Sequence, residues 1–279
     1  MSQKKPRLAV PAGAVDTHMH VYHADVPPQP GGPPLPGDYR EEKYRAMRDA
    51  LGFRRVVVVQ PNAYQFDNTV TLQAMKALGP GAKGIAVVNE HTPDAEIERL
   101  TKAGMVGQRF FQMQWGAVGF ERMHAVMARV HPHGWLANLQ LDGRELPKWE
   151  NAIKKLPGKF IVDHIGKFLE PVPTQHEAFR ALLRLVDSGY CWVKLSAPYE
   201  VSKSGAPGYG DVAKLAKALV RYAPERMLWA SNWPHPSVPR ERMPDDANLL
   251  DLLLDWAPDD ATRRKILVDN PAELYGFQR

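Results

Sequence analysis

Cysteine is almost missing from this chain. A single residue, Cys191, stands among 279, so no internal disulfide framework can form and stability must come from a packed core. Cys191 opens the apolar run Cys191-Trp192-Val193, a setting for a packed thiol rather than a nucleophile. Long apolar runs are missing too. Charges interrupt every apolar stretch well short of the ~20 residues a membrane span needs. The basic start, residues 1–7, is followed by no apolar segment of signal-peptide length. The expectation is a cytoplasmic protein without a membrane partner. Charge of one sign is scarce: 36 Lys and Arg against 31 Asp and Glu leave a net +5. The basic residues are dispersed and not interleaved with aromatics, which disfavours nucleic acid and leaves an anionic small molecule as the expected partner. No glycine-rich fingerprint follows the first apolar segment, which argues against an open dinucleotide-binding sheet.

What is present is regular alternation. Apolar content of 44% and charged content of 24% are ordinary for a globular chain, and the length suits one large domain over residues 1–279. Eight short β-branched runs fall at 14–20, 55–60, 84–89, 108–113, 135–141, 160–165, 191–196 and 227–232. Between them, helical spacing of apolar residues marks 42–51, 69–78, 93–103, 120–130, 145–156, 177–186 and 212–222. Further helices are expected at 246–256, 261–268 and around 271–275. Eight strands alternating with helices predict the α/β class and a (β/α)8 TIM barrel.

A barrel gathers the C-terminal ends of its strands on one face, where such enzymes place their sites. The first strand ends in Thr17-His18-Met19-His20. Residues i and i+2 on a strand point the same way, so His18 and His20 aim together into the mouth. Paired imidazoles serve proton transfer or metal binding. The other strand ends add Gln60 and Asn62, Arg109, Asn138 and Gln140, His164, Lys194 and Ser196 with Tyr199 beyond, and Asn232 followed by Trp233 and His235. Arg109 suits a carboxylate held through two bonds and equally a structural salt bridge. Lys194 suits the site and equally a pairing inside the barrel. The loop after His20 is rich in proline, with six in residues 27–37, and is expected to be a stiff connector that helps wall the site from water.

These residues carry a family resemblance. The His18-Met19-His20 motif, Asp163-His164-Ile165-Gly166 and Trp233-Pro234-His235-Pro236 together resemble the amidohydrolase superfamily. Gln60-Pro61-Asn62 with Asp67-Asn68, Leu139-Gln140-Leu141-Asp142-Gly143 and Ala223-Pro224-Glu225-Arg226 are similar to the branch that includes the 2-pyrone-4,6-dicarboxylate hydrolases. The resemblance spans residues 10 to 277. It implies an amidohydrolase-like (β/α)8 enzyme acting on a carboxylated lactone.

Two departures from the pattern shape the chemistry expected. Many superfamily members hold zinc with an additional lysine or glutamate on strand four, further histidines, and an aspartate on strand eight. Here strand four offers Arg109, strand five Asn138 and Gln140, and strand eight Asn232. Only His18, His20 and His164 remain as good ligands, so no cofactor is expected to be required, although three histidines can hold zinc. The resemblance further implies an aspartate as the water-activating base at position 232. An asparagine cannot take that proton. A substrate hydroxyl can attack the lactone carbonyl instead, which gives ring migration. The resulting expectation is a lactone isomerase for aldarolactones such as D-galactarolactone. Its catalytic residues would be His18, His20, His164 and Asn232, and Gln60, Asn62, Arg109, Gln140, Lys194, Tyr199, Trp233 and His235 would bind substrate. The rivals are a lactonase in the same fold, a zinc-dependent decarboxylase or hydrolase, and a non-catalytic sugar-acid binder.

Overall fold

The computed structural model describes residues 4–278. Its one eight-stranded parallel sheet runs in sequence order, each strand beside the next. The first half comprises β1 (Val15–Met19), α1 (Glu41–Leu51), β2 (Arg55–Val59), α2 (Thr69–Leu78), β3 (Ala82–Ala86), α3 (Asp94–Lys102), β4 (Met105–Phe111) and α4 (Met123–Val130). The second comprises β5 (Leu136–Gln140), α5 (Leu146–Lys154), β6 (Phe160–Val162), α6 (Glu177–Val186), β7 (Cys191–Leu195), α7 (Gly210–Tyr222) and β8 (Met227–Trp229). Four short helices follow: α8 (Asp246–Asp251), α9 (Leu253–Trp256), α10 (Asp260–Arg264) and α11 (Asn270–Tyr275). The expected (β/α)8 barrel is thus the observed fold. No helix among the described residues is long and apolar enough to cross a membrane.

Strand and helix faces divide the core in two. Helices cover the outside of the barrel with apolar stripes. α6, for example, buries Phe179, Leu182, Val186 and their neighbours, and truncating a side chain such as Leu182 to alanine costs about 2–5 kcal/mol. Inside, Val15, Val57, Ile85, Leu136, Ile161 and Leu228 fill the lower barrel, and Leu274 and Tyr275 of α11 join the same cluster. The floor is therefore apolar and plugged. Above it, polar side chains occupy the interior towards the strand C-termini.

The last seam differs from the other seven. β8 and β1 share no regular ladder, and side chains join them. Thr17 Oγ1 donates to the Trp229 carbonyl at 2.8 Å. The buried Asp16 carboxylate accepts from the Ser231 amide at 2.9 Å and its hydroxyl at 2.6 Å. Above them Asn232 N donates to the His18 carbonyl (2.9 Å) and His20 N to the Trp233 carbonyl (2.8 Å). Burial pushes the Asp16 carboxyl up to about 6, against the hydrogen bonds from Ser231 and Tyr44.

Four strands depart by more than one residue at an end from the ranges read in the sequence. β3 stops at Ala86 rather than 89 because side chains take over the next backbone groups. Asn68 bonds both the Val87 amide and carbonyl at 2.9 Å, and Gln108 accepts from Val88 N at 2.9 Å. β4 begins three residues early, at Met105, since Gly104 at φ 98 turns the chain directly from α3 into the sheet. β6 and β8 end before His164 and Asn232, where the backbone enters the left-handed region at φ 55 and 57.

Candidate active site

A register slip builds the first part of the site. Asp16 pairs with Val56 and Met19 with Val58, so β1 carries one extra residue there. Such a bulge re-aims side chains. Thr17 and His18 together face the one residue Val57, and His18 and His20 then share the inner face. Their rings meet edge to face with centroids 4.7 Å apart, and the His164 ring lies 5.0 Å from that of His18.

Hydrogen bonds fix the tautomers. His20 Nδ1 is 2.7 Å from the Val59 carbonyl, which only accepts, so that nitrogen holds the proton. His20 Nε2 is then bare and accepts from His18 Nε2–H at 3.0 Å. His18 Nδ1 is bare in turn, and Lys194 Nζ donates to it at 3.0 Å. The same ammonium donates to Asn138 Oδ1 at 2.6 Å and pairs with Asp163 Oδ1 at 3.1 Å, while Asn138 Nδ2 donates to Asp163 Oδ2 at 2.7 Å. Lys194 thus has two hydrogen-bond acceptors and a counter-ion around it.

Electrostatics keep the imidazoles neutral. Burial lowers all three from the usual histidine value. His18 falls well below it with further push from the Lys194 charge, His20 falls to about 3 with Arg109 adding to burial, and His164 falls to about 4. Burial works to raise Asp163, yet the Lys194 charge beside it holds it well below the usual carboxylate range. His164 Nδ1 meets Ser196 Oγ at 2.8 Å. Its Nε2 has no partner among the described residues, which makes it the one ring nitrogen of the three free to move a substrate proton.

Arg109 forms the opposite side. It is 5% exposed and meets only neutral acceptors: the Gln60 carbonyl at 2.8 Å, Asn62 Oδ1 at 3.4 Å and Gln140 Oε1 at 3.0 Å. Its Nε is buried without a partner. Among the described residues no carboxylate lies within salt-bridge distance of it, so the structural ion pair is not what holds it. A buried cation lacking a counter-ion is costly unless a ligand supplies one.

The segment after β8 completes the mouth. Asn232 Nδ2 donates to Tyr199 Oη at 2.9 Å and to Glu200 Oε1 at 3.2 Å. Tyr199 Oη also bonds His235 Nδ1 at 2.8 Å, and His235 Nε2 is 3.2 Å from Asp246 Oδ1. Glu200 is ion-paired with Lys167 and accepts from Ser237 Oγ at 2.6 Å. Burial works to raise its carboxyl, but Lys167 and its neighbours bring it down to about 2. His164, Asn232 and His235 all hold positive φ at 55, 57 and 61. Backbone strain of this kind costs about 1–3 kcal/mol per residue and gathers where function demands it.

Ten of the twelve residues singled out from sequence come together at the mouth. Two do not present their side chains there. The Gln60 amide turns into the β2–α2 connection, donating to the Gln65 and Asp67 carbonyls at 3.2 and 2.7 Å, so only its backbone carbonyl serves Arg109. The Trp233 ring packs against Tyr39 and Tyr44 at 5.7 and 5.5 Å. The proline-rich loop does lie beside the site: Gln29 N donates to the Ala63 carbonyl at 2.8 Å, one residue past Asn62. Residues that sequence reasoning passed over are Asp163, Lys167, Glu200 and Tyr22. Tyr22 is 5% exposed, with its ring 6.3 Å from that of His20, and burial holds its hydroxyl in the protonated form.

His18, Asp163 and His164 could place three ligand atoms within 4.8 Å of one another. Lys194 already sits between two of them. A divalent cation bound to His18 Nδ1 and Asp163 Oδ1 would have to displace or neutralise that ammonium, so the residues as arranged do not fit a metal centre.

Comparison with known proteins agrees with this architecture. The model of the amidohydrolase family matches residues 15–277. The chain is 40% identical to D-galactarolactone isomerase of Agrobacterium fabrum, over 99% of this chain and 95% of that one. It is 34% identical to 2-pyrone-4,6-dicarboxylate hydrolase of Comamonas testosteroni, over 97% and 92%. The crystal structure of an Agrobacterium tumefaciens protein superposes with a TM-score of 0.92 at 39% identity, covering 98% of this chain and 99% of the other.

Proposed function

The chain belongs to the amidohydrolase family and is an enzyme, and from that premise we propose that it is a lactone isomerase acting on carboxylated sugar lactones such as D-galactarolactone. Relatives named as a lactone isomerase and as a pyrone-dicarboxylate hydrolase bracket the chemistry. The observation that carries the choice is a charge pattern. The mouth holds a lone buried cation, Arg109, beside three neutral imidazoles, and every carboxylate around them is already paired. Asp163 is taken by Lys194 and Glu200 by Lys167, and position 232 is an amide. A lone guanidinium calls for a substrate carboxylate. The lack of a free carboxylate removes the usual water-activating base and favours attack by the substrate's own hydroxyl, which proximity accelerates.

In this reading His164 Nε2 takes the proton from the attacking hydroxyl as its oxygen bonds to the lactone carbonyl carbon. The tetrahedral intermediate then releases the original ring oxygen, and the same nitrogen returns the proton to it. No atom is gained or lost, as isomerisation requires. Lys194 is paired with Asp163 and bonded to Asn138 and His18, so its work is to fix the His18 tautomer. We assign the oxyanion a neutral donor in the buried Tyr22, whose ring lies 6.3 Å from that of His20. We read the chemistry as metal-free because the Lys194 ammonium occupies the place between His18 and Asp163. Activity should survive chelation to sub-stoichiometric metal content checked by mass spectrometry, and loss restored stoichiometrically by zinc would sink this part of the reading.

A proton NMR time course with a panel of aldarolactones tests the whole. Ring migration without accumulation of open-chain acid supports the isomerase. Ring opening as fast as migration makes the enzyme a lactonase with His164 activating water.

A further inference from the structure

We propose that Glu200 is a positioning residue that sets the polarity of the Asn232 amide, and so makes position 232 an acceptor for a substrate hydroxyl; this rests on the lactone reading above. An asparagine side chain can present either end to a ligand, and its neighbours decide which. Glu200 Oε1, 3.2 Å away, belongs to a carboxylate and can only accept. The Asn232 atom facing it must be the NH2 group. The second hydrogen of that group goes to Tyr199 Oη at 2.9 Å. Both donors are spent, and Oδ1 is left with no partner among the described residues. A bound molecule therefore meets an oxygen acceptor at Asn232 and no donor. This suits a substrate hydroxyl other than the one whose single proton His164 takes, and does not suit an oxyanion.

The arrangement is built with care. Glu200 is itself held from three sides, by Lys167, Ser237 and Asn232. It lies in the turn after β7, whereas Asn232 lies beyond β8 and Lys167 beyond β6. Three neighbouring strand ends converge on one carboxylate. The same contact explains why an aspartate is a poor fit here. Its carboxylate would face that of Glu200 across about the Asn232–Glu200 distance, with no proton between them.

The test is a double-mutant cycle of Asn232→Asp and Glu200→Gln, with Glu200→Asp as the conservative variant. Two readouts are taken on each protein. The first is the dissociation constant ratio between D-galactarolactone and its analogue deoxygenated at a non-attacking hydroxyl. Wild type should prefer the hydroxylated lactone by roughly tenfold, the worth of about one hydrogen bond. Glu200→Gln should shrink that preference to less than threefold, because a glutamine amide pairs with Asn232 in either orientation, and Glu200→Asp should keep most of it. A loss of stability alone would leave the ratio unchanged, and an unchanged ratio in Glu200→Gln overturns the proposal.

The second readout is thermal unfolding without ligand, which stands even if no lactone is turned over. Asn232→Asp should lower Tm by roughly 5–10 °C. Adding Glu200→Gln to it should recover part of that loss, since the glutamine NH2 can donate to the new carboxylate. Strictly additive losses would also overturn the proposal. Failure of turnover with a non-additive cycle would instead discard the lactone substrate and keep the Glu200–Asn232 coupling.

Discussion

The barrel mouth buries a cation on each of two sides, and the two keep different company. On the strand-seven side Lys194 touches a carboxylate, an amide oxygen and an imidazole nitrogen, so its charge has a counter-ion. On the strand-four side Arg109 is just as buried but meets only neutral oxygens and leaves Nε unpaired. Burial pulls down the proton affinity of both. The difference assigns them different work. A satisfied charge holds the framework around it in place, whereas a charge without a counter-ion is a request for a ligand.

The most drastic way to break this comparison is Lys194→Met. It leaves Asp163 buried without its partner, and breaking a buried pair costs about 3–5 kcal/mol, read as a fall in unfolding free energy in urea. Lys194→Met with Asp163→Asn should recover much of that loss, and a stable single variant would mean that the pair is not the framework it is taken for. Arg109→Met should do the reverse: stability unchanged or higher, because an unpaired buried charge is removed, and KM for carboxylated lactones raised roughly 10- to 100-fold, the worth of a charge-assisted contact of about 1.5–3 kcal/mol. Neutral lactones should be spared. Unfolding of Arg109→Met would move Arg109 into the same structural class as Lys194.

The smallest effect is on pH dependence. His164 must be neutral to accept a proton, and its affinity is depressed to about 4, first by burial and then by Lys167 and Lys194 against the pull of Asp163 and Glu200. A depressed value keeps the basic form present down to mildly acid pH. The profile of kcat/KM should therefore be flat from about pH 8 to 6 and fall only as pH approaches 4. A limb at the ordinary histidine value of about 6.5 would show that the working imidazole is not shielded in this way.

How much of this was legible beforehand varies with the kind of contact. The barrel followed from eight β-branched runs alternating with helices, and strand ends placed His18, Arg109, Gln140 and Lys194 at one mouth before any coordinates. Alternation also put His18 with His20. It could not reveal the extra residue opposite Val57, because Val15-Asp16-Thr17-His18 reads as an unbroken strand. Asp163 was in plain view beside His164, but its pairing joins β6 to β7, and no local pattern encodes such a partner. Gln60 and Trp233 show the opposite error. Each is polar or aromatic at the right place in the chain, and its side chain is consumed by packing next door. Glu200 lies in a loop without periodicity, so nothing in its neighbours' spacing pointed to Asn232.

The seam between β8 and β1 has a further consequence for how the protein comes into being. Thr17 and Trp229 stand 212 positions apart, and the residues they draw together, His18 and Asn232, belong to the barrel mouth. Contacts so remote in sequence carry the greatest loop-closure cost and slow the search for the native state. A chain still emerging during synthesis has seven of its strands available but lacks the one that closes the barrel against β1, and hence has no complete chamber. Enzymatic competence therefore appears only with the last strand, so a nascent or truncated chain is inert towards metabolites, and recovery of turnover after dilution from urea would time the joining of the two ends.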